Sequence, residues 1–211
     1  MKLTWYGHSC FLVETAEGSA VLDPYSPGSV PGLSLPPLRA DLVLCSHGHR
    51  DHGYAAGVAL SGARPALRVE RLETFHDDRK GALRGPNTVH ILEAEGLRLA
   101  HLGDLGHMLF PEQLAALGRV DILLIPVGGH YTIGPDTALA LAAAVGARIT
   151  VPMHYRGEGF GYEVIGPVEP FLAGRERVLR LESNELRPEE VETPATVLLR
   201  CPLNGSGDPT E

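Results

Sequence analysis

Cysteine is scarce in this chain of 211 residues: there are three, at positions 10, 45 and 201, with no C-x-x-C pair. That usage excludes a disulfide-stapled fold and a thiolate zinc knuckle, and it predicts free thiols in a reducing, cytoplasmic setting. Positive charge is also short. Against 26 Asp and Glu there are 18 Lys and Arg, a net charge of −8, whereas a general nucleic-acid binder needs an excess of cations. The longest apolar runs, Ile122 to Val127 and Ala138 to Val145, fall far short of the roughly 20 residues that span a bilayer. The opening Met1 to His8 lacks the apolar centre of a signal peptide, so no membrane association is expected. No G-x-S-x-G elbow occurs, and no cysteine sits in a nucleophile's setting. The glycine-rich string Arg156-Gly-Glu-Gly-Phe-Gly161 lacks the Lys and Ser/Thr of a phosphate loop and reads as a flexible lip. Repeats and low-complexity tracts are missing too. What is left is the composition of an ordinary globular protein: one domain over residues 1–203, with a polar, glycine-rich and frayed tail over 204–211.

Against this background six residues stand out. His47-Gly48-His49-Arg50-Asp51-His52 packs three imidazoles and a carboxylate into one H-x-H-x-D-H string. Imidazole nitrogen and carboxylate oxygen are the donors that zinc and similar divalent ions prefer. The spacing suits two ions: side chains at i and i+2 of a tight turn converge on one, while the following Asp and His turn toward another. The string follows Asp41-Leu-Val-Leu-Cys45, a short apolar run that reads as a buried strand, and ligands leaving such a strand stand on a rigid base.

The rest of the chain reads as alternating elements. Lys2 to Tyr6, Cys10 to Glu14 and Ala20 to Asp23 form a β-meander, and the Pro/Gly/Ser-rich Ser26 to Pro37 is a loop. Tyr54 to Leu60 is predicted as a short helix, and Ala66 to Val69 and Arg71 to Phe75 as two strands. Thr88 to Glu93 and Leu97 to Leu102 flank a hairpin turn at Ala94-Glu-Gly96. Pro111 to Leu117 and Pro135 to Val145 begin with Pro and stop at Gly118 and Gly146, which marks helices. Asp121 to Val127 and Arg148 to Met153 are buried strands, and Glu169 to Ala173 is a further helix. A meander followed by strand–helix alternation predicts two β layers covered outside by helices.

H-x-H-x-D-H at a strand end, followed by spaced single His and Asp residues, resembles the metallo-β-lactamase fold superfamily over nearly the whole chain. Trp5-Tyr-Gly-His8-Ser, Leu22-Asp23-Pro24-Tyr25, Phe75-His76-Asp77-Asp78, Gly103-Asp104-Leu-Gly106-His107, Pro126-Val-Gly-Gly129 and Met153-His154-Tyr155 are similar to its small bacterial branch of L-ascorbate 6-phosphate lactonase-like proteins. The resemblance implies an α/β fold, an αββα sandwich of two mixed sheets flanked by helices, and a dinuclear site holding two divalent ions, zinc or else manganese. It makes His47, His49 and His76 the ligands of one metal, Asp51, His52 and His154 those of the other, and Asp104 the bridge. His76, Asp104 and His154 each follow a strand-like run, as a shared site requires.

Around these ligands the sequence offers further candidates. Asp23 is read either as a carboxylate orienting a ligand His through its free N–H or as an Asp-Pro turn. His8 either binds substrate or moves protons, or is held by backbone; His107 is a neighbour or alternative of the ligands. Tyr155 joins His8 and His107 as a candidate proton donor, with Asp51 and Asp104 orienting the nucleophile. His130, Tyr131 and Thr132 leave a strand end where substrates commonly bind. His90 and His101 are read as structural. The implied activity is hydrolysis of an ester, lactone or phosphodiester in a small-molecule substrate by a hydroxide bridging the metals. Arg50, Arg79, Lys80, Arg84 and Arg156 flank ligand segments, which predicts an anionic substrate unless they are solvated charges balancing Asp77, Asp78 and Glu158. Iron-dependent redox chemistry on the same fold, an RNA-processing nuclease and a noncatalytic metal binder are the competitors. Flavo-di-iron relatives carry an acidic residue where His49 stands and lack the last His of the motif, so His49 and His52 favour hydrolysis.

Overall fold

The structure, a computed structural model, describes residues 1–202, so the tail expected to fray from residue 204 lies outside the described residues. Strands β1 (Lys2–Trp5), β2 (Phe11–Thr15) and β3 (Gly18–Leu22) form the meander. Next come β4 (Leu38–Ala40), β5 (Leu42–Leu44) and β6 (Val58–Leu60), then the antiparallel run of β7 (Arg68–Phe75), β8 (Pro86–Ala94) and β9 (Leu97–His101). Helix α1 (Pro111–Leu117), β10 (Ile122–Pro126), α2 (Pro135–Val145), β11 (Ile149–Met153) and α3 (Glu169–Ala173) alternate. Short strands β12 (Val178–Arg180), β13 (Glu185–Leu186) and β14 (Ala195–Leu198) follow.

These elements make the expected α/β sandwich. One mixed sheet has the order β13-β1-β2-β3-β5, the other β12-β14-β11-β10-β9-β8-β7, and β4 and β6 pair separately. Their apolar faces share one core, to which the first sheet gives Leu3, Trp5, Phe11 and Leu22 and the second Leu92, Leu99, Leu124 and Val151. Every residue of β10 and β11 is buried, as expected of parallel strands covered on both faces. Helix α2 packs on β10, α1 beside β7 and α3 against α2. At the sheet edge, β7 carries Arg68, Glu70, Arg71 and Glu73, and exposed Arg68, Arg71 and Glu73 put charge along it, which suits an unpaired edge.

Two elements depart from the sequence reading. Only Ala55–Gly57 is helical, as one 3₁₀ turn, and Val58–Leu60 is a strand paired in parallel with β4. Tyr54 to Gly57 is exposed and presents no apolar stripe to hold a helix, while β-branched Val58 finds a strand partner. The two strands expected over 66–75 are one, Arg68–Phe75; Ala66 and Leu67 instead donate backbone N–H to Glu17 O.

The topology places the site. Strands β1, β3 and β5 run the same way in the first sheet, as do β7, β9, β10 and β11 in the second. Seven C-terminal strand ends therefore open on one edge of the sandwich, where ligands gather in α/β proteins.

Candidate metal centre

Each candidate residue leaves one of those ends: His8 after β1, Asp23 after β3, His47 to His52 after β5, His76 after β7, Asp104 after β9 and His154 after β11. The loops are tied to one another by main-chain bonds. Asp23 N–H donates to Leu44 O, His154 N–H to His8 O, Thr88 N–H to Ser46 O and Gly106 N–H to Phe75 O. Asn87 Oδ1 accepts the Asp104 N–H at 2.9 Å. Gly103 and Gly106 permit the closest approaches: a Cβ at 103 would lie 2.4 Å from Ser46 Cβ, and one at 106 would lie 2.3 Å from Asp77 N.

Three overlapping groups of donors result. The ring nitrogens of His47, His49 and His76 lie within 4.8 Å of one another, so do donor atoms of His8, Asp51, His52 and His154, and a third group of His47, His52 and Asp104 links these two. Asp104 stands between them. Its Oδ1 is 3.2 Å from His52 Nε2 and 3.3 Å from His154 Nε2, while its Oδ2 is 3.3 Å from His76 Nε2 and 3.9 Å from His47 Nε2. Behind these donors Asp23, wholly buried, fixes two rings. It accepts from His52 Nδ1 at 2.7 Å and from Ser46 N–H and Oγ–H at 2.6 Å each. Ser46 Oγ in turn lies 3.0 Å from His47 Nδ1. Both Nδ1 atoms are thereby set as donors, and both Nε2 lone pairs face Asp104.

Whether the residues fit divalent ions is answered by their unpartnered atoms. His47 Nε2, His52 Nε2, Asp104 Oδ1 and both ring nitrogens of His8 and His154 are buried without a hydrogen-bond partner. Each such group costs about 1–3 kcal/mol unless something pairs with it. A cation between the rings and the carboxylates satisfies them together, so the cluster is able to bind metal.

The electrostatics agree. Burial alone would raise the Asp104 carboxyl, but His154 and His52 outweigh it and hold it well below its ordinary value. Burial likewise opposes protonation of His52, but Asp104 and Asp23 on either side raise it well above the usual range. Burial lowers His47 to about 3 and His8 to about 4, with neighbouring histidines adding to the effect. Neutral rings beside ionised carboxylates are the protonation states that ligands need, and at His52 a bound cation would take the place of a proton. Backbone strain collects here too: His8, Asp23 and His154 have φ of +52°, +45° and +52°.

Other expected residues fall outside the donor set. The His107 ring is engaged by backbone at both ends, with Nδ1 2.8 Å from Met108 O and Nε2 accepting from Phe75 N–H at 3.2 Å, which leaves no free nitrogen for proton transfer. Tyr155 points away into an aromatic cluster with Trp5 and Phe160. Arg156 bonds to Ile165 O, on that same far side. In the lip around them Gly157 and Phe160 bridge, and Gly161 N–H donates to Pro31 O. His130, Tyr131 and Thr132 line a cleft of about 440 Å³ with His107 and Arg84. His101 Nε2 lies 2.9 Å from Ser9 O in the core.

Two contributors escaped the sequence reading. Tyr162 O–H donates to Ser29 O at 2.6 Å and lies 3.3 Å from Asp51 Oδ2, and its ring meets those of His8 and Tyr131. Asp77 accepts the backbone N–H groups of Arg79, Gly81, Leu83 and Arg84. Burial would raise its carboxyl, yet those bonds hold it at about 2. Asp77 thus shapes the loop that carries Arg84. The thiols play no part: Cys10 is buried, and burial pushes Cys45 up to about 11 and Cys201 to about 12.

Comparison with known proteins matches residues 2–154 to the model of the β-lactamase superfamily domain. A protein of Opitutus terrae named UPF0173 metal-dependent hydrolase is 32% identical, with 74% of this chain and 85% of its own covered. A Thermoplasma acidophilum protein of the same name is 28% identical, with 74% and 83% covered. The crystal structure of a Thermotoga maritima protein, described as a Zn-dependent hydrolase of the metallo-β-lactamase superfamily, superposes with a TM-score of 0.75 at 34% identity, over 94% of this chain and 97% of that one.

Proposed function

From the premise that the chain belongs to the metallo-β-lactamase superfamily and is a metal-dependent hydrolase, we propose that it works through a dinuclear centre on a small, anionic ester, lactone or phosphodiester substrate. His47, His49 and His76 would hold one ion, Asp51, His52 and His154 the other, and Asp104 both. The observation that carries this reading is the Asp104 carboxylate, which turns one oxygen to each imidazole group. Zinc is the first choice and manganese the second, from the preference of imidazole and carboxylate donors.

When bound, the ions lower the pKa of water and polarise the substrate oxygen. The protein's own groups do the rest. Asp51, only part-buried, faces the approach to the centre and accepts a hydrogen bond from an incoming water, with the Tyr162 hydroxyl beside it to fix its direction. The exposed His49 leaves an open side for that water. Asp23 and Ser46 keep His52 and His47 in the tautomers that present Nε2.

Substrate charge is read from Arg84. Its guanidinium lies 5.6 Å from the centre of the Tyr131 ring, and among the described residues no carboxylate stands within ion-pair distance of it. The Asp77 carboxylate nearby is occupied by four backbone N–H groups. Arg84 is therefore free to take a phosphate or carboxylate in the cleft beside the centre. Of the five flanking cations, this one lines that cleft. Among the described residues no helix is long and apolar enough to cross a membrane.

Metal-free protein reloaded with zinc or manganese and analysed for metal content should hold two ions per chain; saturation at one defeats the dinuclear reading. Loaded protein should then be profiled against lactone, ester, phosphodiester and phospholipid libraries. With matched neutral and phosphorylated substrates, Arg84→Ala should raise KM for the charged one about tenfold or more, the loss of one charge-assisted hydrogen bond of about 1.5 kcal/mol or above, and spare the neutral one. Equal KM changes for the two would remove Arg84 from substrate capture.

A further inference from the structure

We infer that His8 is a ligand of the second ion, so that this site takes His8, Asp51, His52 and His154 together with the shared Asp104. The inference rests on the dinuclear reading and adds a donor to it.

Four observations meet at this ring. The side chain of His8 is wholly buried, and both of its nitrogens lack a hydrogen-bond partner. Its Nε2 stands 3.4 Å from Asp51 Oδ2, a spacing that lets the two groups share one ion. The ring centre is 4.1 Å from that of His154 and 5.0 Å from that of His52. Finally, the backbone is fixed to hold it there. His8 adopts φ +52° after Gly7 at +90°, and its carbonyl accepts both the Trp5 indole N–H at 3.0 Å and the His154 N–H at 3.2 Å. A left-handed conformation in a non-glycine residue costs about 1–3 kcal/mol and persists where surroundings over-determine it. Here the surroundings are the backbone of another ligand, so the separation of the two rings is set before any ion arrives.

Unpartnered nitrogens alone do not single out His8, since buried His90 also lacks a partner at both, whereas His101 bonds to Ser9 O. What sets His8 apart is its place beside Asp51 and the His52 and His154 rings, away from the residues that line the Arg84 cleft. It lies on the Asp51 and His154 side of Asp104, with Tyr162 over it. Three imidazoles and two carboxylates also form a larger donor set than the four of a closed tetrahedral zinc site. That count fits a catalytic site, where zinc expands to five donors and manganese takes five or six.

The test uses full-length protein freed of metal and titrated with Co(II), then with zinc in competition against a chromophoric chelator. His8→Asn is the main variant, because Asn tolerates the left-handed backbone and circular dichroism can verify the fold; His8→Gln is the second. In both, the first ion should bind as in wild type, while affinity for the second falls about 100-fold, at or beyond the loss from disturbing a residue behind a ligand. The visible absorption of the second Co(II) should also change with the loss of a nitrogen donor. Two ions bound with wild-type affinity and an unchanged spectrum in both variants would overturn the assignment. If turnover alone then fell, His8 would be a proton-transfer group instead. Wild-type protein that saturates with one ion would overturn the dinuclear centre, and this assignment with it.

Discussion

Replacing Asp104 with alanine is expected to lower turnover by a factor of about a thousand or more, some 4 kcal/mol in the activation barrier. The variant should keep a wild-type circular dichroism spectrum. The size of the effect follows from position. Asp104 is buried, and its two oxygens face two separate imidazole groups. With two ions bound it would neutralise positive charge on both sides and fix their separation, and among the described residues no second carboxylate reaches both groups. Asp51, the nearest candidate, lies 3.8 Å from His52 Nε2 and belongs to one group only. Without Asp104, two cations would share a cluster of neutral rings with too little negative charge, so the second should be lost or greatly weakened. The fold should survive because the main-chain bond from residue 104 to Asn87 does not depend on the side chain. Asn87 is itself held by Thr74 Oγ1 and Leu102 O. Metal content and turnover measured on the same preparation decide the matter. A well-folded Asp104→Ala protein with wild-type turnover and two ions would show that the carboxylate bridges nothing.

Much of this centre is local in sequence, and that part can be read directly. His47 to His52 lies on one loop after one short strand, which is only partly buried at the edge of its sheet, so the motif and its base are adjacent in the chain. His76, Asp104 and His154 stand just past strand-like runs, and strand direction then brings them to one edge. What stays hidden depends on side-chain direction or distant register. Tyr155 follows His154 directly, yet the left-handed bend at His154 turns it away into the cluster with Trp5 and Phe160, so closeness in sequence does not bring it into the site. Tyr162, seven residues on, returns to the site because the segment between them folds back through the Gly157–Phe160 bridge. His107 stands three residues from Asp104 but turns its ring to backbone. The place of His8 beside His154 depends on a main-chain bond spanning most of the domain, which no local pattern announces.

Asp23 leaves the most to test, because one buried carboxylate serves stability and metal binding together. Asp23→Ala should lower the melting temperature by about 6–12 °C, the equivalent of roughly 3 kcal/mol in a chain of this size. The carboxylate accepts three short hydrogen bonds and is wholly buried, so its loss strands the Ser46 N–H, the Ser46 hydroxyl and His52 Nδ1. Alanine would also have to adopt φ +45°, where Asp and Asn are better tolerated. Burial by itself would raise the Asp23 carboxyl, but His52, His101 and the Ser46 bonds hold it far down, so the group deleted is an ionised one. Asp23→Asn separates the two roles. It keeps the left-handed backbone and an acceptor for the Ser46 N–H, so its melting temperature should stay closer to wild type. Its amide nitrogen, however, would meet His52 Nδ1 as a second donor. The way out is for His52 to move its proton to Nε2, the atom that faces Asp104 and Asp51. Affinity for the second ion should then fall about 10- to 100-fold, the usual cost of disturbing the partner behind a metal-binding histidine, with the first ion less affected. Calorimetric melting of metal-free protein and chelator competition on reloaded protein measure the two effects independently. An Asn variant that matches wild type in second-ion affinity would mean that Asp23 is only a structural anchor and does not set the His52 tautomer.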